Sequence, residues 1–289
     1  MVTKVKTGIV FEGGAFRTIF SCGVMDALVE NDIMPDYMIG VSAGAAYGVS
    51  MASKQPRRNL DVLMKYRNDK RYLGLSNMID KDNKSIYGLE FSYETIPNEL
   101  NLFDYDAFKQ YKGDFYCVVT NLLTGQPEYM KYTGDDRTNT VLKASCALPM
   151  LFPPIIINDV PYMDGGLSDS IPYLKAIEDG CDRIIVVLTR QSGYTKTTSR
   201  STKAIAYSYR NQYPKLTETM LTRASRYNES LKGLDQYVKE GRIITIQPTT
   251  SKGFSRLEKD KNKILSMYND GYNQCYELLD TIKEFYGIK

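Results

Sequence analysis

With 289 residues, 43% of them hydrophobic and 25% charged, the chain has the length and apolar content of a globular protein with a sizeable core, and its net charge of +3 is too small to argue for any class of partner. It has no histidine and five scattered cysteines with no Cys-x-x-Cys pair, which excludes a Ser-His-Asp triad and argues against a zinc site. No run approaches the ~20 apolar residues of a membrane span. Residues 1–6 lack the apolar stretch and cleavage site of a secretory leader. With an odd, dispersed set of cysteines, this predicts a reduced, cytoplasmic protein.

The first predicted strand covers residues 5–11, followed by a turn at Glu12-Gly13-Gly14-Ala15. Ile19, Phe20, Val24, Ala27 and Leu28 recur at helical spacing, predicting a helix over 17–31. Residues 37–41 form a short apolar run, hence a buried strand, and a second helix follows over 43–53. Strand–turn–helix repeated twice is the start of a parallel α/β sheet. Residues 55–101 hold no clear strand and read as helical insertions, a lid over the active face. Further strands are predicted at 115–122, 183–189 and 242–247, with hairpin material at 128–132 and 155–163. A long amphipathic helix is expected over 255–285, within a C-terminal helical region from about residue 203. No linker is evident, so residues 1–289 are read as one domain of three-layer α/β/α type with a mostly parallel sheet.

Gly40-Val41-Ser42-Ala43-Gly44 has the G-x-S-x-G pattern of a nucleophile elbow, in which a strained strand-to-helix turn lifts a serine hydroxyl into a site. Gly40 and Gly44 leave room for the turn. The following helix N-terminus favours developing negative charge. Gly13 and Gly14 lie after the first strand, where backbone N–H groups can crowd around an anion. That anion is an acyl-transfer oxyanion or a nucleotide phosphate; no Gly-Lys pair exists for a phosphate loop. Arg17 adds positive charge there or caps the helix. Met163-Asp164-Gly165-Gly166 reads either as a plain strand-end turn or as the site of a base for Ser42, with Asp169 as fallback. No serine stands three residues before a lysine, which excludes a Ser-x-x-Lys pair. An aspartate, with reference pKa ~3.9, serves as a base only if burial raises it.

Taken in order, these motifs resemble the patatin-like phospholipases of bacteria. The resemblance rests on Phe11-Glu12-Gly13-Gly14-Ala15-Phe16-Arg17, the Ser42 elbow and the Asp164-Gly165-Gly166 turn. It extends to Thr120-Asn121-Leu122-Leu123-Thr124-Gly125, to Lys143-Ala144-Ser145-Cys146-Ala147-Leu148-Pro149 and to Phe152-Pro153-Pro154. It implies a Ser42–Asp164 dyad and an oxyanion hole of N–H groups from Gly13, Gly14, Ala15 and Ala43. It also implies lipid acyl-ester hydrolysis through an acyl-enzyme, with no metal or organic cofactor. The rivals are a general carboxylesterase or thioesterase, and a lipid-binding protein on the same fold without turnover. Ala15 and Thr18 stand where the family usually has glycine, so the hole depends on the backbone angle at Ala15.

Residues 190–232 hold nine Lys/Arg against two Glu, interleaved with Tyr194, Tyr207, Tyr209, Tyr213 and Tyr227. The stretch reads as a solvated surface or as a docking face for anionic membrane. Nucleic acid is not expected, because no matching motif accompanies the charge.

Overall fold

Predominantly apolar runs need cover on both faces, and five of them build the parallel part of one eight-stranded sheet. The computed structural model describes residues 5–81 and 83–288; residues 1–4 of the stretch 1–6 searched for a secretory leader lie outside them. The strands are β1 (Thr7–Phe11), β2 (Tyr37–Val41), β3 (Asp114–Asn121), β4 (Pro127–Lys131), β5 (Ile155–Ile157), β6 (Val160–Asp164), β7 (Arg183–Val187) and β8 (Ile243–Ile246). Their order is β5-β6-β3-β2-β1-β7-β8, with β4 also on β3. β3, β2, β1, β7 and β8 run parallel, while β4, β5 and β6 pair antiparallel.

Alternation along the strands feeds two cores. Ile9, Phe11, Met38, Ile185 and Val187 point to one face; Val10, Ile39, Val41, Ile184 and Val186 point to the other. The helices are α1 (Ile19–Glu30), α2 (Ala43–Ala52), α3 (Arg58–Tyr66), α4 (Ser76–Ile79), α5 (Tyr105–Lys109), α6 (Thr140–Cys146), α7 (Tyr173–Glu178), α8 (Arg200–Ser208), α9 (Pro214–Lys239), α10 (Lys261–Glu277) and α11 (Leu279–Tyr286). α1, α2, α3, α10 and α11 cover the first face, and α7 and α9 the second. The fold is thus a three-layer α/β/α arrangement on a mostly parallel sheet.

Two boundaries differ from expectation. The first helix opens as a 3₁₀ turn, Ala15–Thr18, before α1 begins. The helix expected over 255–285 starts only at Lys261, where Asp260 accepts from the N–H groups of Asn262 and Lys263, and it breaks at Leu278. Upstream, Glu258 accepts from the N–H groups of Ser255, Lys259 and Asp260, which holds that segment as a loop. α10 docks closely on α1: a Cβ at Gly23 would lie 2.1 Å from Tyr268 O, and one at Gly271 2.0 Å from Phe20 O. Residues 55–101 contain α3, α4, a single bridge between Leu73 and Tyr87, and a π-helical segment, Phe91–Leu100, with Pro97 inside it.

Candidate active site

β2 carries Ser42 to the carboxyl edge of the parallel strands. Val41 is its last residue and Ala43 the first of α2, so Ser42 alone makes the turn, at φ 55° and ψ −128°. An L-residue holds such an angle only when its surroundings impose it. The surroundings here are two backbone approaches: a Cβ at Gly40 would lie 2.5 Å from Ala45 Cα, and one at Gly44 2.4 Å from Phe11 O. The turn is also tied to β3 from behind. Ser42 N–H donates to Ser145 Oγ at 2.9 Å, and Ser145 Oγ donates to Val118 O at 2.7 Å.

Asp164 arrives from the opposite direction. β2 pairs with β3 as far as Val41 opposite Val118. β6 takes over at the next position, with Asp164 opposite Val119, while β4 occupies the other edge of β3 across both. β2 and β6 therefore lie end to end on one edge of β3, and their last residues meet. Asp164 is only 2% exposed. Its N–H donates to Ala147 O at 2.9 Å, its carbonyl accepts from Thr120 Oγ1 at 2.8 Å, and Gly166 N–H donates to its Oδ1 at 2.8 Å. Oδ2 is buried and has no full hydrogen bond. Ser42 and Asp164 line the same cavity, and the Ser42 hydroxyl favours the ionised form of that carboxyl. Burial pushes the Asp164 carboxyl above the usual carboxylate range, while the Ser42 hydroxyl, Arg223, the Gly166 N–H and Arg256 pull it back. Asp169 lines neither cavity at Ser42; Tyr129 Oη donates to it at 3.0 Å.

The glycine turn after β1 lies against the serine. A Cβ at Gly13 would stand 2.8 Å from Ser42 Cβ. Among the described residues, the N–H groups of Gly13 and Gly14 have no hydrogen-bond partner. Ala43 opens α2, so its N–H has no intrahelical acceptor. Ala15 adopts φ 50°, in the left-handed region, at a cost of about 1–2 kcal/mol for a residue with a Cβ. Thr18 is buried with its Oγ1 unpartnered. Arg17, 6% exposed, lines the polar side of the site. Glu12 anchors the turn: Tyr227 Oη donates to Oε1 at 2.9 Å and Thr189 N–H to Oε2 at 2.6 Å.

Ser42 sits where two cavities meet. One, about 960 Å³ including its mouth, is walled by apolar and aromatic side chains such as Phe16, Tyr72, Tyr87, Ile96, Phe103 and Phe152. The other, about 580 Å³ including its opening to solvent, holds Asp164 and a group of cations. Those cations come largely from the basic stretch, which divides. Arg200, Lys203, Arg210, Lys215 and Lys232 are exposed, whereas Arg190, Lys196 and Arg223 turn in toward Ser42. Arg226 braces the turn after Asp164, donating to Leu167 O and Ser168 O. Ser145, Thr120 and Glu12 were not singled out from the sequence as positioning groups, although all three lie inside the motif segments. The inward turn of Arg190, Lys196 and Arg223 left no local signal.

The patatin-like phospholipase model matches residues 9–177, which contain the glycine turn, the Ser42 elbow and Asp164. The chain belongs to the patatin-like phospholipase family. A domain of unknown function, DUF6363, matches residues 213–287, the segment carrying α9, β8, α10 and α11. Among relatives, the uncharacterized protein YjjU of Escherichia coli (strain K12) is 28% identical over 196 residues, 64% of this chain and 52% of that protein. Lysophospholipase nte1 of Aspergillus terreus is 29% identical over 193 residues, 63% of this chain but 12% of that protein. Lysophospholipase NTE1 of Eremothecium gossypii is 28% identical over 185 residues, again 12% of its length. The chain thus spans about half of YjjU and a small part of the lysophospholipases. VipD from Legionella pneumophila, a solved structure, aligns over 96% of this chain and 67% of its own, with TM-score 0.48 and 16% identity. Among the described residues no helix is long and apolar enough to cross a membrane.

Proposed function

We propose that this patatin-like protein is a lipid acyl-ester hydrolase of phospholipase A or lysophospholipase type. Ser42 Oγ attacks the ester carbonyl while Asp164 takes its proton. The tetrahedral oxyanion is held by N–H groups of Gly13, Gly14, Ala15 and Ala43, with Arg17 adding positive charge. Asp164 returns the proton to the departing alcohol, leaving an acyl-Ser42 that water cleaves to a fatty acid. One observation carries this reading: a strained serine opens onto an apolar cavity on one side and meets a buried carboxylate with an uncommitted oxygen on the other. No imidazole exists in the chain to mediate. A buried, raised carboxyl is a better base than a solvated one, and each oxyanion donor contributes ~3 kcal/mol. Hydrolysis of a soluble acyl ester by wild type and not by Ser42→Ala tests it; equal rates overturn it.

Three further parts belong to the proposal. Residues 1–289 act as one unit in which α3, α4 and Phe91–Leu100 form a lid, since Asn59, Val62, Tyr72, Tyr87, Tyr93 and Ile96 all line the apolar cavity. The protein works in a reducing, cytoplasmic setting, which suits its free cysteines. It docks on anionic membrane through α8. That helix carries Arg200 and Lys203 beside exposed Tyr207, and Tyr209 just beyond it accepts from the N–H of exposed Met150, near the cavity mouth at Leu148. Flotation with anionic but not neutral vesicles supports the docking; equal flotation sinks its electrostatic basis.

A further inference from the structure

The second cavity at Ser42 holds five cations, Arg17, Arg190, Lys196, Arg223 and Arg256, and two carboxylates, Glu12 and Asp164. The cations converge from four separate places: the turn after β1, the loop after β7, α9, and the loop before α10. Grouping cations inside a protein is costly unless something answers them. Neither carboxylate does so by contact. Glu12 is taken up by Tyr227 and Thr189, and Asp164 Oδ1 by Gly166. None of the five cations forms an ion pair with another described residue.

The strain of this arrangement is visible group by group. Burial, then Arg223, with Arg256 and Arg17 adding, lowers the Lys196 ammonium to about 7 against the pull of Glu12. Burial, Arg190 and Arg256 lower Arg17 to about 10. Arg17 Nε is buried with no acceptor. Aromatic faces hold two of the cations in place without neutralising them: Lys196 Nζ lies 3.7 Å from the centre of the Tyr227 ring, and Arg190 Cζ 4.5 Å from that of Tyr194.

We infer that this cavity is a subsite for a phosphate-type dianion carried on the alcohol side of the ester, so that the preferred substrates are acyl esters of a phosphomonoester-bearing alcohol. The inference rests on the reading of Ser42 as the nucleophile, because Ser42 is where the two cavities join. With the acyl chain in the apolar cavity, the alcohol must enter the cationic one. Guanidinium forks and an ammonium match phosphate oxygens. The same wall repels the quaternary ammonium of a zwitterionic headgroup, and it offers that group no uncommitted carboxylate except Asp164 itself.

The test uses Ser42→Ala protein, which binds without turning over. Octanoyl-glycerol-3-phosphate, octanoyl-glycerophosphocholine and octanoylglycerol are titrated calorimetrically below their critical micelle concentrations. The phosphomonoester is expected to bind at least 30-fold more tightly than octanoylglycerol. Adding Lys196→Met removes most of that difference, and Lys196→Arg restores it. Equal binding of the three compounds, or a preference untouched by Lys196→Met, overturns the inference. Inorganic phosphate is titrated in parallel: binding as tight as the acyl-glycerol phosphate makes this a free-anion site and overturns the headgroup assignment. Wild-type hydrolysis of the same esters is scored separately. No hydrolysis together with a 30-fold binding preference removes the catalytic reading and leaves the anion subsite standing.

Discussion

Ser145→Ala removes a side chain that ties the strained serine to the sheet. Ser145 is fully buried, and its Oγ both accepts from Ser42 N–H and donates to Val118 O. The substitution leaves one backbone donor and one acceptor short of a partner. A lost hydrogen bond contributes ~1 kcal/mol and an unsatisfied buried group costs ~1–3 kcal/mol. Because the Val118 end is buried and the Ser42 end faces the cavity, the total falls at about 2–3 kcal/mol. For a chain of this size that lowers Tm by about 3–5 °C. The effect on chemistry is larger than on stability, because Ser42 holds φ 55° only under constraint. A nucleophile displaced by ~1 Å loses ~10²-fold in rate. Differential scanning calorimetry and the rate of fluorophosphonate labelling read the two effects. A variant with Tm unchanged and labelling within twofold of wild type would show that Ser145 does not hold the elbow.

Other outcomes follow from the same geometry. Asp164→Asn is expected to lower kcat by ~10³–10⁴-fold, by analogy with loss of a triad aspartate, while Asp169→Asn, which lines neither cavity, stays near wild type. The pH–rate profile has its acid limb above the usual carboxylate range, because burial raises Asp164 and only the ionised form accepts the Ser42 proton. Activity therefore falls as pH drops through that raised pKa; a limb near 6.5 with the midpoint retained in Asp164→Asn contradicts the assignment. Ala15→Gly relieves left-handed strain of about 1–2 kcal/mol but frees the unfolded chain by ~0.4–1 kcal/mol, for a net gain near 0.5–1 kcal/mol in denaturant titration. For an ester with an anionic headgroup, KM is expected to rise as pH climbs through about 7, where Lys196 loses its proton among Arg223, Arg256, Arg17 and Glu12. Lys196→Arg abolishes that rise.

The parallel part of the sheet was legible because its strands are short runs dominated by apolar residues. β2 falls where its residues 37–41 predict it, between Asp36 and the elbow. The glycines around Ser42 were legible because close backbone approach leaves no other residue type. What pairs Ser42 with Asp164, however, is the end-to-end seating of β2 and β6 on β3, a contact 122 positions apart that no local pattern encodes. The lower edge of the last helical region was misjudged because its apolar periodicity continues through a loop held by Glu258, whose side-chain bonds to backbone N–H groups compete with helix. The division of the basic stretch was equally hidden. Arg200 and Arg223 look alike in composition, yet one is exposed and the other lies beside Asp164, because α9 turns only one face to the sheet.

The central claim is that Ser42 is a nucleophile activated by Asp164, and covalent trapping tests it most directly. Protein reacted with a fluorophosphonate ester is digested, and the modified residue is located by mass spectrometry with the rate followed over time. The account predicts one adduct, on Ser42, absent in Ser42→Ala and formed at least 10²-fold more slowly in Asp164→Asn, since general-base assistance contributes ~10²–10⁴-fold. An adduct on another serine, or labelling of Ser42 at the same rate with and without the Asp164 carboxylate, would contradict it.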